Sequence, residues 1–67
     1  MRQEIREVCE KVRSSRFSKG VSILELAERA DISHSAVYYI ESQKKEPTLE
    51  TLFKIAKALD MDIKEFF

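Results

Sequence analysis

Five side chains able to donate or accept hydrogen bonds crowd one short segment: Ser33, His34, Ser35, Tyr38 and Tyr39. Hydroxyls, phenols and an imidazole at this density suit either catalysis or a face that reads another molecule by hydrogen bonding. Catalysis requires a nucleophile, a base and a charge stabiliser converging on a pocket. With one histidine, one cysteine and one glycine, the chain holds little from which to assemble such a set. The nearby carboxylates Glu25, Glu28 and Asp31 read as a helix cap and a solvated helix face. Cys9, the only cysteine, excludes an internal disulfide and any multi-cysteine metal site. It is expected to pack as a small hydrophobe, with a Cys9 to Cys9 bridge between protomers as the alternative. No enzyme activity, cofactor or metal is expected, and the polar cluster reads as a binding face.

The apolar periodicity around that cluster predicts the scaffold that carries it. Ile5, Val8, Cys9 and Val12 fall at i, i+3, i+4 and i+7, which predicts an amphipathic first helix from about Arg2 to Arg16 that stops near Gly20. Ser22 and Glu25 have the spacing of a capping box, opening a second helix from Ile23 to Ala30. Its Ala27 and Ala30 allow another helix to approach closely. After a turn at Ala30, Asp31 and Ile32, Ser33 can cap a third helix. Val37 and Ile40 then form its inward stripe, and His34, Ser35, Tyr38 and Tyr39 its exposed face. Two helices broken at Asp31 in this order make a helix-turn-helix over residues 22–41, and reading of DNA becomes the leading expectation.

Gln43, Lys44, Lys45 and Glu46 form a polar loop closed by Pro47, after which Thr48 caps a fourth helix with an apolar stripe of Leu49, Leu52, Phe53, Ile55, Ala56 and Leu59. Asp62 and Glu65 repeat the capping-box spacing before Phe66 and Phe67. Adjacent residues cannot both face inward on a helix, so this pair is the candidate dimer interface. The expected fold is all-α: five helices in a single domain over residues 1–67.

Composition narrows the partner. At 43% hydrophobic and 36% charged residues, the chain suits a compact helical domain and not a disordered tail. No apolar run approaches the roughly 20 residues of a membrane span, and the N-terminus lacks a signal-peptide core, so a cytoplasmic location is expected. The formal net charge of zero is unusual for a phosphate-gripping domain. The charge is uneven, however: residues 1–20 hold six basic and three acidic groups, residues 21–42 one and four, and residues 43–67 five and five. Local patches therefore matter more than the sum.

Two stretches, SILELAERADISHSAVYYIE and EPTLETLFKIAKALDMDIKEFF, resemble the lambda-repressor-like family of Cro and Xre type helix-turn-helix regulators, a similarity covering about Val12 to Phe67. The resemblance implies base contacts by Ser33, His34, Ser35 and Tyr39, with Tyr38 a further member. It implies DNA backbone contacts at Ser22, Lys44 and Lys45, with Arg13 and Lys19 as additions. Arg16 and Glu41 match an ion pair that ties the first helix to the end of the third. A homodimer on a palindromic operator is also implied, with double-stranded DNA as the partner and repression as the role. Four departures stand out: Ile23 where many relatives carry glutamine, Gln43 where glycine is frequent, Ser15 in place of leucine, and residues 1–11 lengthening the first helix. Zero net charge and the missing glutamine favour the alternative, a helix-turn-helix scaffold acting as a protein-interaction module such as an antitoxin, antirepressor or regulatory subunit.

Overall fold

The starts of the later helices are set by side-chain caps at the expected positions. In the computed structural model, which describes residues 1–67, the elements are α1 (Gln3–Ser18), α2 (Ile23–Ala30), α3 (His34–Glu41) and α4 (Leu49–Ala58), followed by a closing 3-10 turn, Ile63–Phe66. Ser22, Ser33 and Thr48 each accept a backbone N–H three residues on, and Asp62 accepts from Lys64. Both expected capping boxes are closed: Glu25 accepts the Ser22 N–H and Glu65 the Asp62 N–H. Each such cap contributes about 1 kcal/mol by satisfying a donor the helix leaves open. Only α1 starts without one, since Arg2 makes no side-chain cap.

Two boundaries differ from the sequence expectation. Helix α1 continues past Arg16 to Ser18, because Lys19 still donates to Ser15 O, and the chain turns only at Gly20, whose φ is 67°. The fifth helix is a 3-10 turn, so the architecture has four α-helices. The segment after Asp62 takes the tighter 3-10 winding over Ile63–Phe66.

All five elements contribute to one core. Val8, Cys9 and Val12 of α1 meet Leu26, Ala27 and Ala30 of α2, Val37 and Ile40 of α3, and Leu52, Ile55 and Ala56 of α4, with Val21, Leu59 and Phe66 completing it. Ile5 only half-joins this core. Burial pushes the Cys9 thiol up, the Glu46 charge adds to that, and the thiol's backbone hydrogen bond opposes it. It therefore stays protonated and packs as an apolar group, not as a nucleophile.

Three expectations about apolar faces need correction. Periodicity puts Leu49 and Phe53 in the inward stripe of α4, yet they are 60% and 55% exposed. The stripe is wider than the surface that α2 and the closing 3-10 turn cover. Phe66, a dimer candidate by sequence, is fully buried and unavailable for an interface, because the 3-10 turn aims it between α1 and α4. Phe67 alone of that pair stays exposed, and its carbonyl accepts a hydrogen bond from Lys11 Nζ at 3.4 Å.

The loop after α3 is strained at one point. Gln43 sits at φ 61°, in the left-handed region, like the helix-ending residues Asp31 (56°) and Asp60 (57°). A side chain there costs roughly 1–2 kcal/mol, offset partly by the greater chain entropy of glycine in the unfolded state. Gln43→Gly is therefore expected to stabilise the chain by up to about 1 kcal/mol, raising the thermal midpoint by several degrees. A lowered midpoint would instead assign the loop's stability to the 3.4 Å bond that Gln43 Nε2 donates to Glu10.

Candidate nucleic-acid interface

Helix α3 is short and its two faces differ sharply. Val37 and Ile40 are buried against the core, whereas His34, Ser35, Tyr38 and Tyr39 are exposed, the tyrosines by 49% and 44%. At roughly 100° of rotation per residue, the outward residues run His34, Tyr38, Ser35, Tyr39 around a contiguous arc of about 140°. The tyrosine rings meet edge to face, with centroids 5.7 Å apart. Ser33 stands at the head of this arc, and its hydroxyl accepts the Ala36 N–H at 3.0 Å.

The turn that presents α3 is built from backbone. Asp31, at positive φ, ends α2 by donating to Glu28 O, and Ile32 donates back to Ala27 O at 3.0 Å. Half-buried Ile32 packs against the core and fixes the angle between the helices. Because α2 packs on both α3 and α4, α3 cannot rotate independently.

Arg16 and Glu41 lock the far end of α3 to α1. Arg16 Nε and Nη2 donate to the two carboxylate oxygens of Glu41 at 2.7 and 2.8 Å, and Nη1 donates to Val21 O at 2.9 Å. The side chains are 8% and 5% exposed, so the expected pair is buried and bidentate. The Glu41 hydrogen bond pushes the Arg16 guanidinium above its ordinary value; desolvation opposes this and the Glu41 charge supports it. Every buried side-chain polar atom of the chain has a partner.

The candidate backbone-contact residues are spread over α1 and its end, the start of α2 and the loop after α3. Ser22 caps α2 and is exposed. Lys44 and Lys45 follow the left-handed Gln43, and both donate their backbone N–H groups to Tyr39 O, holding the lysines beside the end of α3. Lys19 ends α1 with its ammonium unengaged. Arg13 stands on α1 and, with Tyr38, borders a shallow hollow between α1 and α3. The structure thus groups Ser22, Ser33, His34, Ser35, Tyr38 and Tyr39 on the helix-turn-helix. Lys44 and Lys45 lie at one end of this group and Arg13 on its flank. Sequence reading missed Phe17, an exposed ring on α1 lying under both Arg13 and Arg16. The i, i+4 spacing of Arg13 and Phe17 was the available signal.

A capped helix pair presenting a polar arc, with lysines at its edge, is the arrangement of a DNA-binding helix-turn-helix. No helix of the chain is long and apolar enough to cross a membrane. The chain belongs to the lambda-repressor-like helix-turn-helix family of transcriptional regulators, whose model, described as Helix-turn-helix, matches residues 12–66. Members of this family are DNA-binding regulators and not enzymes. The chain is 36% identical over 52 residues to the HTH-type transcriptional regulator PuuR of Escherichia coli (strain K12). It is equally similar to PuuR of Shigella flexneri. That match covers 78% of this chain and spans only 28% of the length of either relative. Among solved structures, the restriction-modification controller protein C.AhdI from Aeromonas hydrophila superposes with a TM-score of 0.92 at 27% identity, covering 98% of this chain and all of that one. The clp gene regulator ClgR from C. glutamicum superposes at 0.89 with 27% identity, covering 98% of this chain and 86% of that one.

Proposed function

We propose that this chain is a sequence-specific reader of double-stranded DNA that acts in the cytoplasm as a repressor, binding a two-fold symmetric operator as a homodimer. The observation that carries this reading is the arc of His34, Tyr38, Ser35 and Tyr39 opposite the buried Val37 and Ile40. In helix-turn-helix docking, the N-terminal part of the second helix enters the major groove, and that end of α3 carries Ser33, His34 and Ser35. Hydroxyls and an imidazole match donors and acceptors on base edges, and a tyrosine ring suits the thymine methyl. Ser22, Lys44, Lys45, Lys19 and Arg13 hold phosphates, which sets the register without choosing sequence.

The dimer forms through the exposed face of α4. Leu49 and Phe53 project from it, and beside Phe53 lies a hollow of about 520 Å³ bordered by Ala56, Met61 and Ile63, with Lys57, Asp60 and Asp62 on its rim. Projecting ring, apolar hollow and charges of both signs occupy one patch, which a two-fold axis requires of a self-complementary surface. Phe53 of each copy fills the hollow of the other, and Lys57 faces the acidic rim.

The test is selection of bound duplexes from a random-sequence pool, then titration of the winner at two salt concentrations. An enriched palindrome with half-sites roughly 34 Å apart is the expected result. Ser35→Ala combined with Tyr39→Ala is expected to lower operator affinity by about 1–3 kcal/mol for each well-formed base interaction removed and to leave non-specific binding unchanged. With few cations on the face, a modest salt slope is expected, near 0.9 per neutralised phosphate. A folded chain that enriches no duplex would overturn this reading in favour of a protein-interaction module.

A further inference from the structure

Helix α1 carries one aromatic ring that the core does not use. Phe17 is 59% exposed, with the guanidinium carbons of Arg16 and Arg13 at 4.6 and 5.3 Å from its centroid. The two cations differ in what else they hold. Arg16 is neutralised by Glu41 and bonded to Val21 O. Arg13 is exposed and faces no carboxylate at ion-pair distance, so its charge remains available.

Arg13 and Phe17 border a hollow of about 440 Å³ whose other walls are Ile23, Tyr38, Ser42 and the paired Arg16 and Glu41. Within the outward arc of α3, Tyr38 falls on the side of Glu41, which α1 holds, whereas Ser35 and Tyr39 lie farther round. Its ring leans on Tyr39, and its exposed hydroxyl makes no side-chain hydrogen bond within the chain. A free guanidinium and a free phenol therefore converge on one amphipathic hollow at the flank of the reading face.

We infer that Arg13 and the Tyr38 hydroxyl together grip a phosphodiester oxygen of the bound duplex, with Phe17 as the residue that positions Arg13. Tyr38 is thereby reassigned from base reading to backbone contact. A guanidinium resting on an aromatic face loses less side-chain freedom on binding, and both groups donate charge-assisted hydrogen bonds to an anionic oxygen. The inference rests on the DNA reading proposed above.

The experiment measures binding of the selected operator and a scrambled duplex across salt, for the whole chain and for Arg13→Ala, Tyr38→Phe, Phe17→Ala and the Arg13→Ala/Phe17→Ala double variant. Thermal melts accompany each. Arg13→Ala is expected to weaken both duplexes alike and to reduce the salt slope by about 0.9 per protomer, about 1.8 for the bound dimer, cutting the fall in affinity between 50 and 200 mM salt by about twelvefold. Tyr38→Phe is expected to weaken both duplexes equally. Phe17→Ala should reproduce the slope change of Arg13→Ala and add nothing to it in the double variant. Weakening confined to the operator in Tyr38→Phe would return that residue to base reading. An unchanged slope in Arg13→Ala, or additive effects in the double variant, would likewise overturn the inference. If the unaltered chain bound neither duplex, the parent reading itself would fall.

Discussion

Arg16→Met is expected to leave most of the chain unfolded at 37 °C. The substitution removes three hydrogen bonds and strands Glu41, only 5% exposed, without a counter-charge. Breaking a buried pair from one side costs about 3–5 kcal/mol. A core this small supplies roughly that much net stability in all. Circular dichroism melts read the outcome, and a variant melting like the unaltered chain would show that the pair contributes nothing. Replacing both partners, Arg16→Met with Glu41→Leu, is expected to recover part of the stability, because no charge then stays buried alone. Recovery stops short because Val21 O is deprived of its donor at 2.9 Å, an unsatisfied carbonyl costing about 1–3 kcal/mol. The raised Arg16 value means the guanidinium's contribution is fully present below the ordinary arginine range and fades only as pH rises through the folded value. Deprotonation of Arg16 is therefore not expected to destabilise the chain near neutrality.

Phe53→Glu is expected to convert the proposed dimer to monomers with the fold intact. The ring is 55% exposed in the single chain, so the monomer loses little. Across a two-fold axis the change acts twice: two half-exposed rings leave their hollows, removing roughly 2–3 kcal/mol of apolar burial, and two carboxylates are introduced into the joint surface. That raises the dimer dissociation constant more than tenfold. Sedimentation equilibrium on both proteins reads the shift, and operator titration should show each half-site filling independently. If Phe53→Glu sedimented as the unaltered chain does, the α4 face would not be the interface.

Local chemistry made much of this fold legible. Ser22 with Glu25, Ser33, Thr48, and Asp62 with Glu65 marked helix starts, because a cap depends on residues within one turn of it. The bounds of α2 followed directly. The Arg16–Glu41 pair, 25 residues apart, came from family resemblance alone, since no periodicity links two helices across such a separation. The sequence missed features that depend on what lies opposite. Leu49 and Phe53 share the α4 stripe with Leu52 and Ile55, and period cannot tell where the covering helices end. Phe66 and Phe67 were indistinguishable until the 3-10 winding chose the first. Within the site, the outward set of His34, Ser35, Tyr38 and Tyr39 could be read from the spacing of Val37 and Ile40. The hollow joining Tyr38 to Arg13 could not, because it is made by the crossing of α1 and α3.

The internal pairing of acids near the reading helix has a consequence for target search. Glu41 is consumed by Arg16, and Glu25 closes a cap and lies 3.5 Å from Arg29, so the unit repels the duplex less than its four acidic groups suggest. Its attraction is correspondingly slight, resting on a few lysines and Arg13. Grip on arbitrary DNA grows with each phosphate neutralised. On the reading proposed above, a unit so sparing of cations dwells only briefly on non-operator sequence, and operator occupancy follows its free concentration closely.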